Sequence, residues 1–296
     1  LTEVLKIVKS YPDGFRLLKQ WNSQNHWEGE LEVYRKDGTI LPIQMIDNLI
    51  GNQTGELIGY IMVSSDICDR RRSEAERNRQ ERLLEGHRQV LELLAQGTPL
   101  LQVLTCLVQI IEEQAQGHTG SILLLRGNHL WHGAAPNLPE AYIEAINGIT
   151  IGPQAGSCGT AAYVKEPVIV SDIATDPLWQ NYRAQALWHG LRACWSVPIF
   201  SRAGDVLGTF ALYHHAPYTP TVEDWKLVNG AVYLAMLAIE RKQTELALVQ
   251  SETRFRATFE QAAVSLCHVD LEGHFVRVNQ QFCQITGYSE DKLQGL

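Results

Sequence analysis

A long apolar repeat near the C-terminal third of the chain places the strongest constraint on the fold. Thr221 followed by Asp224 resembles a capping box and predicts the start of a helix. Apolar residues then recur at steps of three and four, the period of about 3.5 residues that is typical of a coiled-coil seam. The repeating residues, interrupted only by Lys242, are Trp225, Val228, Val232, Ala235, Ile239, Leu246 and Val249.

Two interpretations of this repeat stay open. In the first, one helix packs on the sheet of its own domain. In the second, the helix also pairs with a second copy of the chain. The second interpretation explains better why the stripe continues past the end of the domain, and we therefore expect a homodimer joined through this helix.

Composition and charge narrow the class of protein. The 296 residues are 45% hydrophobic and 20% charged, which favours a folded chain of two or more domains. The net charge of −8 gives no basic field that would attract nucleic acid. We see no apolar run long enough to span a membrane and no signal peptide. Six scattered cysteines without a CxxC pair predict free thiols and a cytoplasmic location.

The hydrophobic pattern predicts an α+β fold. Residues 27–66 alternate as three antiparallel strands, with a hairpin at Asp37-Gly38. Residues 84–240 mix helices with short strands and include a helix predicted over 176–190. Residues 251–296 give a helix, two short strands around Glu272-Gly273 and further helical turns.

Three stretches resemble known families. "RFRATFEQAAVSLCHVDLEGHFVRVNQQFCQITGYSEDKL" resembles the opening of a PAS domain, and "WEGELEVYRKDGTILPIQM" with "GYIMVSSDICDRRRSEAE" resembles the end of one, where Asp66-Ile67 stand in the terminal motif. "GPQAGSCGTAAYVKEPVIVSDIATDPLW" and "RACWSVPIFSRAGDVLGTFALYHH" resemble a GAF domain. The resemblance implies a PAS end at 1–69, a helical linker at 70–83, a GAF domain at 84–240, a second linker at 241–252 and a PAS beginning at 253–296.

This domain order resembles the sensory region of bacterial multidomain signalling proteins. Such proteins usually end in a histidine kinase of a two-component phosphorelay or in a diguanylate cyclase. The sequence contains neither a kinase phosphoacceptor box nor a GGDEF motif. We expect a sensory and relay region that binds a small molecule in a GAF cavity, without a catalytic site of its own.

Cys158, in "GSCGTAA", raises an alternative. A thiol at a helix N-terminus can be activated by a lowered pKa. GAF-type free methionine sulfoxide reductases have a similar phrase, but the resemblance implies a further cysteine in the loop that is here "ATDPLWQNYRAQAL". We therefore expect Cys158 to mark a turn at the rim of a cavity, and keep a thiol reductase and a ligand-free dimerisation module as alternatives.

Cofactor signatures are weak in this sequence. No Cys-His pair matches a bilin attachment site, and the signature of cyclic-nucleotide GAF domains is missing. His189 could serve as an axial haem ligand but is more typical of a helix end, so we expect no haem. No ligand spacing fits a metal site. The residues predicted to line or cover a GAF cavity are Cys158, Asp172, Trp179, Tyr182, Trp188, His189 and Trp195.

Overall fold

A computed structural model describes residues 26–54, 56–115 and 117–294. Residues 1–25 of the predicted first domain lie outside this described part. The chain divides into two compact units between Glu85 and Gly86. Both units combine helices with antiparallel sheets, as the predicted α+β class requires.

The first unit contains a three-stranded antiparallel sheet in the order β1-β2-β3. Its strands are β1 (His26–Tyr34), β2 (Ile40–Gly51) and β3 (Leu57–Asp66). The predicted hairpin at Asp37-Gly38 is present, and Gly38 takes the φ of +84° that the turn requires. The Asp37 carboxylate accepts a hydrogen bond from the backbone N of Thr39 at 2.9 Å and closes the turn.

Helix α1 (Cys68–Ala95) follows the sheet directly. The Asp66 carboxylate accepts a hydrogen bond from the backbone N of Cys68 at 2.8 Å, while Ile67 is buried. This gives the Asp66-Ile67 pair a structural role, because the carboxylate satisfies a free N–H of the first helical turn. The helix runs without a break across the predicted boundary between the linker and the GAF domain at residues 83 and 84.

The central part of the second unit is built on a six-stranded antiparallel sheet in the order β6-β5-β4-β9-β8-β7. Its elements are α2 (Leu100–Gln114), β4 (His118–Arg126), β5 (His129–Ala134), α3 (Glu140–Ile146), β6 (Ile149–Thr150), α4 (Gly156–Val164), β7 (Val168–Val170), a 3-10 helix (Pro177–Trp179), α5 (Arg183–Trp188), β8 (Ala193–Phe200) and β9 (Val206–His214).

The helix predicted over 176–190 is wrong in its extent. Asp176 does cap a helical turn, since its carboxylate accepts a hydrogen bond from the backbone N of Leu178 at 2.9 Å. That turn is only the 3-10 helix, and α5 begins separately at Arg183. The break coincides with Trp179, whose side chain is buried in the core.

The central sheet has two differently covered faces. On the back face, α2 packs on β4 and β5, and the long helix α6 (Val222–Glu260) packs on β8 and β9. Helix α2 approaches closely because β4 has a glycine there: a Cβ atom at Gly120 would lie 2.8 Å from Cγ1 of Val108. On the front face, α4 packs on β7, β8 and β9, and the 3-10 helix packs on α4.

Helix α6 (Val222–Glu260) has 39 residues, which corresponds to a length of about 58 Å. The predicted capping box at Thr221 and Asp224 is present. The first half of the predicted stripe faces the domain: Val228, Ala235 and Ile239 are buried, whereas Trp225 and Val232 are partly buried. In the second half, 48% of Leu246 and 55% of Val249 are exposed.

The C-terminal segment follows α6 with β10 (Cys267–Val269), β11 (Phe275–Val278), α7 (Gln280–Thr286) and α8 (Glu290–Gln294). The buried Asn279 holds these elements together. Its amide Nδ2 donates to the carbonyl oxygens of Phe259 and Val264 at 3.1 and 2.9 Å, and its Oδ1 accepts from the backbone N of Leu266 at 2.9 Å. Among the described helices, none is long and apolar enough to cross a membrane.

Candidate ligand cavity of the central domain

A cavity lies on the front face of the central sheet, beneath α4 and the segment that contains the 3-10 helix. The space within it that a water-sized sphere can occupy is small, about 20 Å³. No Asp, Glu, Lys or Arg lines the cavity, and the thiol of Cys158 is the lining group that can become negatively charged near neutral pH. The lining residues are Leu123, Tyr142, Ile146, Ile149, Ala155, Gly156, Ser157, Cys158, Trp179, Tyr182 and Tyr213.

The first turn of α4 places Cys158 at the cavity. Gly156 begins the helix with a φ of +62°, a conformation that favours glycine. The small residues from Gly156 to Ala162 are all buried and let this helix lie close to β8 and β9. The Sγ atom of Cys158 lies 3.9 Å from the Tyr213 hydroxyl oxygen, and Cys158 is only 5% exposed.

Cys158 and Cys194 form a buried thiol pair with opposite pKa shifts. A hydrogen bond from the Cys194 thiol lowers the pKa of Cys158 to about 7, against the effect of burial and with help from the hydroxyls of Ser196 and Tyr213. Burial raises the pKa of Cys194 well above its ordinary value, and the neighbouring Cys158 raises it further. The pair therefore loses its first proton from Cys158.

One wall of the cavity is held by a chain of hydrogen bonds. The indole Nε1 of Trp179 donates to the Ser157 hydroxyl oxygen at 3.1 Å. The Ser157 hydroxyl donates in turn to the carbonyl oxygen of Cys194 at 2.9 Å. Trp179 is thus fixed against α4 and β8, with its polar atom already satisfied.

The front face of the central sheet carries several buried hydroxyl groups. Register and strand alternation place Thr119, Ser121, Ser196 and Thr209 on this face, together with Tyr213 and Cys194. The hydroxyls of Ser196 and Thr209 interact with the Cys158 thiol, and that of Ser121 interacts with Tyr213. The fully buried Tyr142 lines the cavity, and its hydroxyl interacts with that of Tyr213.

Asp172 and His189 lie beside the cavity without lining it. Arg192 donates three hydrogen bonds to the Asp172 carboxylate, from Nε at 3.2 Å and from Nη2 at 3.1 and 3.0 Å, and these bonds lower the pKa of Asp172. The same carboxylate accepts from the backbone N of Ala174 at 3.0 Å and shapes the start of the covering segment. The His189 ring packs edge-on against the ring of Tyr142 with centroids 5.8 Å apart.

Two tryptophans predicted for the cavity lie elsewhere. Trp188 is 85% exposed at the end of α5. Trp195 points to the back face, where its ring meets Trp225 of α6 with centroids 5.2 Å apart. Neighbouring strand residues point to opposite faces, so Cys194 takes the cavity side and Trp195 does not.

The structure therefore brings Cys158, Trp179 and Tyr182 together, and adds residues that the sequence prediction missed. Among these, Tyr142 and Tyr213 supply the polar groups. A signal was present in the sequence: Ser121, Ser196 and Thr209 interrupt strands that are otherwise apolar. Buried hydroxyls of this kind are typical of a polar site inside a core.

One exposed cluster has metal-binding atom types. Among the described residues, the side chains of Asp270, Glu272 and His274 lie close together in the turn between β10 and β11. The Asp270 carboxylate accepts hydrogen bonds from the backbone N atoms of Glu272 and His274, both at 2.9 Å. These bonds account for the cluster as part of the turn.

Family models match three consecutive parts of the chain. A model described as a GAF domain matches residues 97–240. Models described as PAS domains match residues 7–69 and 253–296. The matched ranges follow the domain order predicted from the sequence.

Two curated proteins are similar in sequence to parts of this chain. The methyl sulfide methyltransferase-associated sensor of Methanosarcina acetivorans is 34% identical over 292 residues, which cover 96% of this chain and 29% of that protein. The probable diguanylate cyclase DgcE of Escherichia coli is 29% identical over 85 residues, 29% of this chain and 7% of that protein. The chain thus spans less than a third of the length of these relatives.

Among solved structures, the GAF domain of a phosphoenolpyruvate-protein phosphotransferase from Coxiella burnetii is similar in fold, with a TM-score of 0.46 and 17% identity. The structural match covers 56% of this chain and 98% of that domain. The family models show one GAF domain, at residues 97–240, between PAS segments at residues 7–69 and 253–296.

Proposed function

We propose that this chain is the sensory and relay part of a longer signal-transduction protein, in which a small molecule in the GAF cavity changes the packing of α6. One observation carries the proposal: β8 and β9 face the cavity on one side and α6 on the other. Cys194 belongs to the cavity side of β8, and the adjacent Trp195 contacts Trp225 of α6. Only the thickness of one sheet separates the ligand from the relay helix.

The mechanism needs two arrangements of similar free energy. A ligand that binds one arrangement more tightly shifts the population toward it. Because the core is close-packed, a displacement of β8 or β9 must be accommodated by the side chains of α6. The helix continues to Glu260, beyond residue 253 where the second PAS match begins, and offers a direct route for the change.

We further propose a cytoplasmic homodimer joined through the second half of α6. Leu246 and Val249 continue the apolar stripe where the helix no longer contacts the sheet, and both are exposed. An output domain outside this chain, a histidine kinase of a phosphorelay or a diguanylate cyclase, would receive the signal. The sensor name of one relative and the cyclase name of the other support this class of output.

The relay can be tested by backbone hydrogen exchange of the chain in the presence of a library of small metabolites. A compound that protects α4 is expected to change exchange in α6 as well. Trp225→Ala should keep the effect on α4 and abolish the effect on α6. Tyr233→Ala removes an aromatic side chain of the same helix that is 57% exposed, and serves as the matched control. If no compound protects α4, the sensing role is overturned.

The dimer has its own test. Leu246→Lys with Val249→Lys places charges on the stripe and should convert the dimer into a monomer in light scattering. Leu248→Lys changes a neighbouring residue, 69% exposed and off the stripe, and should leave the dimer intact. A monomeric unmodified chain, or a double variant that still dimerises, would contradict the proposed interface.

A thiol reductase remains the second candidate, favoured by the lowered pKa of Cys158 and its contact with Cys194. In such a reaction, two thiols become a disulfide while methionine sulfoxide becomes methionine and water. The test is turnover of free methionine sulfoxide with a thiol reductant. Turnover that is lost in Cys158→Ser would establish the enzyme, and no turnover would eliminate it.

A further inference from the structure

A pair of buried thiols joins α4 to the central sheet. Cys158 lies in the first turn of α4, and Cys194 lies on the cavity side of β8. The two thiols are hydrogen-bonded to each other, so their sulfur atoms meet at the boundary between helix and sheet. Two thiols in contact can be joined as a disulfide when each of them is oxidised by one electron.

The cavity beside Cys158 has room for only a very small molecule. The space that a water-sized sphere can occupy is about 20 Å³, and one water needs about 10–15 Å³ of such space, so the cavity holds about one or two waters. Because the surrounding core is close-packed, a larger molecule fits only if side chains are displaced. Hydrogen peroxide, with its two oxygen atoms, has about the bulk of two waters and fits this space.

The groups around the Cys158 sulfur suit an attack on such a molecule. Its pKa of about 7 leaves about half of this thiol as thiolate at neutral pH, and the thiolate is the nucleophilic form. The hydroxyls of Ser196 and Thr209 hydrogen-bond to it, and the Tyr213 hydroxyl oxygen lies 3.9 Å from Sγ. These hydroxyls can also donate to the hydroxide that leaves when an O–O bond breaks. Burial keeps Cys194 protonated, so the two thiols take different roles.

We propose that Cys158 and Cys194 form a peroxide-reactive site, in which hydrogen peroxide enters the cavity and oxidises the two thiols to a disulfide. The inference rests on the proposed sensing function and names the small molecule that this site detects. The disulfide ties α4 covalently to β8, where the neighbouring Trp195 contacts Trp225 of α6.

The reaction has two steps. In the first, Sγ of Cys158 bonds to one oxygen of hydrogen peroxide and the O–O bond breaks. The other oxygen leaves as hydroxide and forms water with the proton that the Cys158 thiol released, so that a sulfenic acid remains. In the second, Sγ of Cys194 bonds to Sγ of Cys158, the S–O bond breaks, and the OH group leaves as water with the proton of Cys194. Two thiols are thus oxidised and one peroxide is reduced to two waters.

The first test uses the unmodified 296-residue chain. The reduced chain is treated with hydrogen peroxide, its remaining thiols are blocked, and the digested peptides are analysed by mass spectrometry. A peptide pair linked through Cys158 and Cys194 should form, and dithiothreitol should separate it again. If no such pair forms at peroxide concentrations that oxidise the exposed Cys267, the proposal is overturned.

A second peroxide tests the size of the cavity. In tert-butyl hydroperoxide, the same O–O group is attached to a body that is too large for the space. The exposed Cys267 of the same chain reports the intrinsic ratio of the two rates. At Cys158, the preference for hydrogen peroxide should exceed this ratio by about tenfold or more, because extra methyl groups in a close-packed site displace side chains. Equal ratios at the two cysteines would show that the cavity does not admit the oxidant selectively, against the proposal.

Three variants separate the roles of the thiols. Cys194→Ser should stop the reaction after the first step and leave a sulfenic acid on Cys158, which dimedone traps. Cys158→Ser should give neither product, and oxidation of Cys194 in this variant would contradict the assigned roles. The matched control is Cys106→Ser, which changes a partly buried thiol of α2 outside the cavity lining and should leave disulfide formation unchanged.

Hydrogen exchange of α6 in the reduced and oxidised chains separates this inference from the sensing function. A disulfide that changes exchange in α6 supports both. A disulfide that leaves α6 unchanged supports the reactive site and contradicts the relay. If no disulfide forms, the inference falls, and the sensing function stands if a metabolite from the library protects α4.

Discussion

The two faces of the central sheet differ in the polarity of the side chains that they bury. On the back face, Ile122, Phe210, Leu212 and Val197 pack against helices, and the buried polar rings there include Trp195 and His118. On the front face, the same strands present hydroxyls and thiols that interact with one another. The strands are shared, so the difference arises only from alternate residues.

From this contrast we expect the back face to contribute most of the stability and the front face to contain the binding site. Apolar burial on the back face contributes favourable free energy, whereas the burial of hydroxyl groups on the front face costs desolvation free energy that their interactions only partly offset. Sites that must accept a ligand commonly give up stability in this way. Substitutions on neighbouring residues of one strand can therefore test the contrast.

The largest effect is expected for Phe210→Ala on the back face. Phe210 is fully buried, and its loss should lower the free energy of unfolding by about 3–5 kcal/mol. Urea denaturation, with hydrogen exchange of β9 as the local readout, measures the change. A loss well below this range would mean that the back face is not the main source of stability.

Ser157→Ala should have the next largest effect. The Ser157 hydroxyl accepts from Trp179 Nε1 and donates to the carbonyl oxygen of Cys194. Its removal leaves two buried polar atoms without a partner, at an expected cost of about 1–3 kcal/mol. If the variant is as stable as the unmodified chain, these bonds do not hold the front face together.

Thr209→Val gives the opposite expectation one residue away from Phe210. The Thr209 hydroxyl is buried and interacts with the thiol of Cys158, which is a weak hydrogen-bonding group, and valine has the same shape without the polar atom. The free energy of unfolding should stay within about 1 kcal/mol or rise. A large loss in the same denaturation experiment would show that this hydroxyl makes a strong hydrogen bond.

At neutral pH, the smallest effect is expected from the ionisation of Cys158, and this effect grows as the pH rises. Its pKa in the folded chain is about 7, below the ordinary value of 9.0. A depressed acidic pKa contributes stability that is fully present above 9.0 and is lost as the pH falls through about 7. Relative to Cys158→Ser, the chain should gain stability between these values.

The ultraviolet absorbance of the thiolate measures the titration directly. It should rise with a midpoint near pH 7 and be missing from Cys158→Ser. A midpoint at or above the ordinary value would show that burial outweighs the hydrogen bonds from Cys194 and its neighbours.

Local signals predicted much of the fold. The hairpin at Asp37-Gly38 and the capping box at Thr221 depend on residues that are close in sequence, and both are present. In the heptad stripe, Val228, Ala235 and Ile239 are buried in their own domain, as expected for a helix that packs on the sheet of that domain, whereas the predicted dimer contact stays a prediction. The length of a helix and the face that it buries depend on residues within one segment, so the spacing of apolar residues can predict them.

The cavity was harder to predict. Both Cys194 and Trp195 are buried, so β8 shows no alternation between apolar and polar residues that would distinguish its faces. In the sequence, Tyr142 and Tyr213 cannot be distinguished from ordinary core aromatic residues. Their grouping depends on the pairing of β4, β8 and β9, which are far apart in sequence.

The unbroken helix α6 has a consequence for how the length of this protein can vary. Each residue added to an α-helix turns everything after it by about 100°, whereas seven residues return it to within about 20°. An insertion near residue 245 would therefore aim the following PAS segment in a new direction unless it came in sevens. Among relatives that transmit the same signal, we expect the length of the helix between the GAF domain and the following PAS segment to differ by multiples of seven residues.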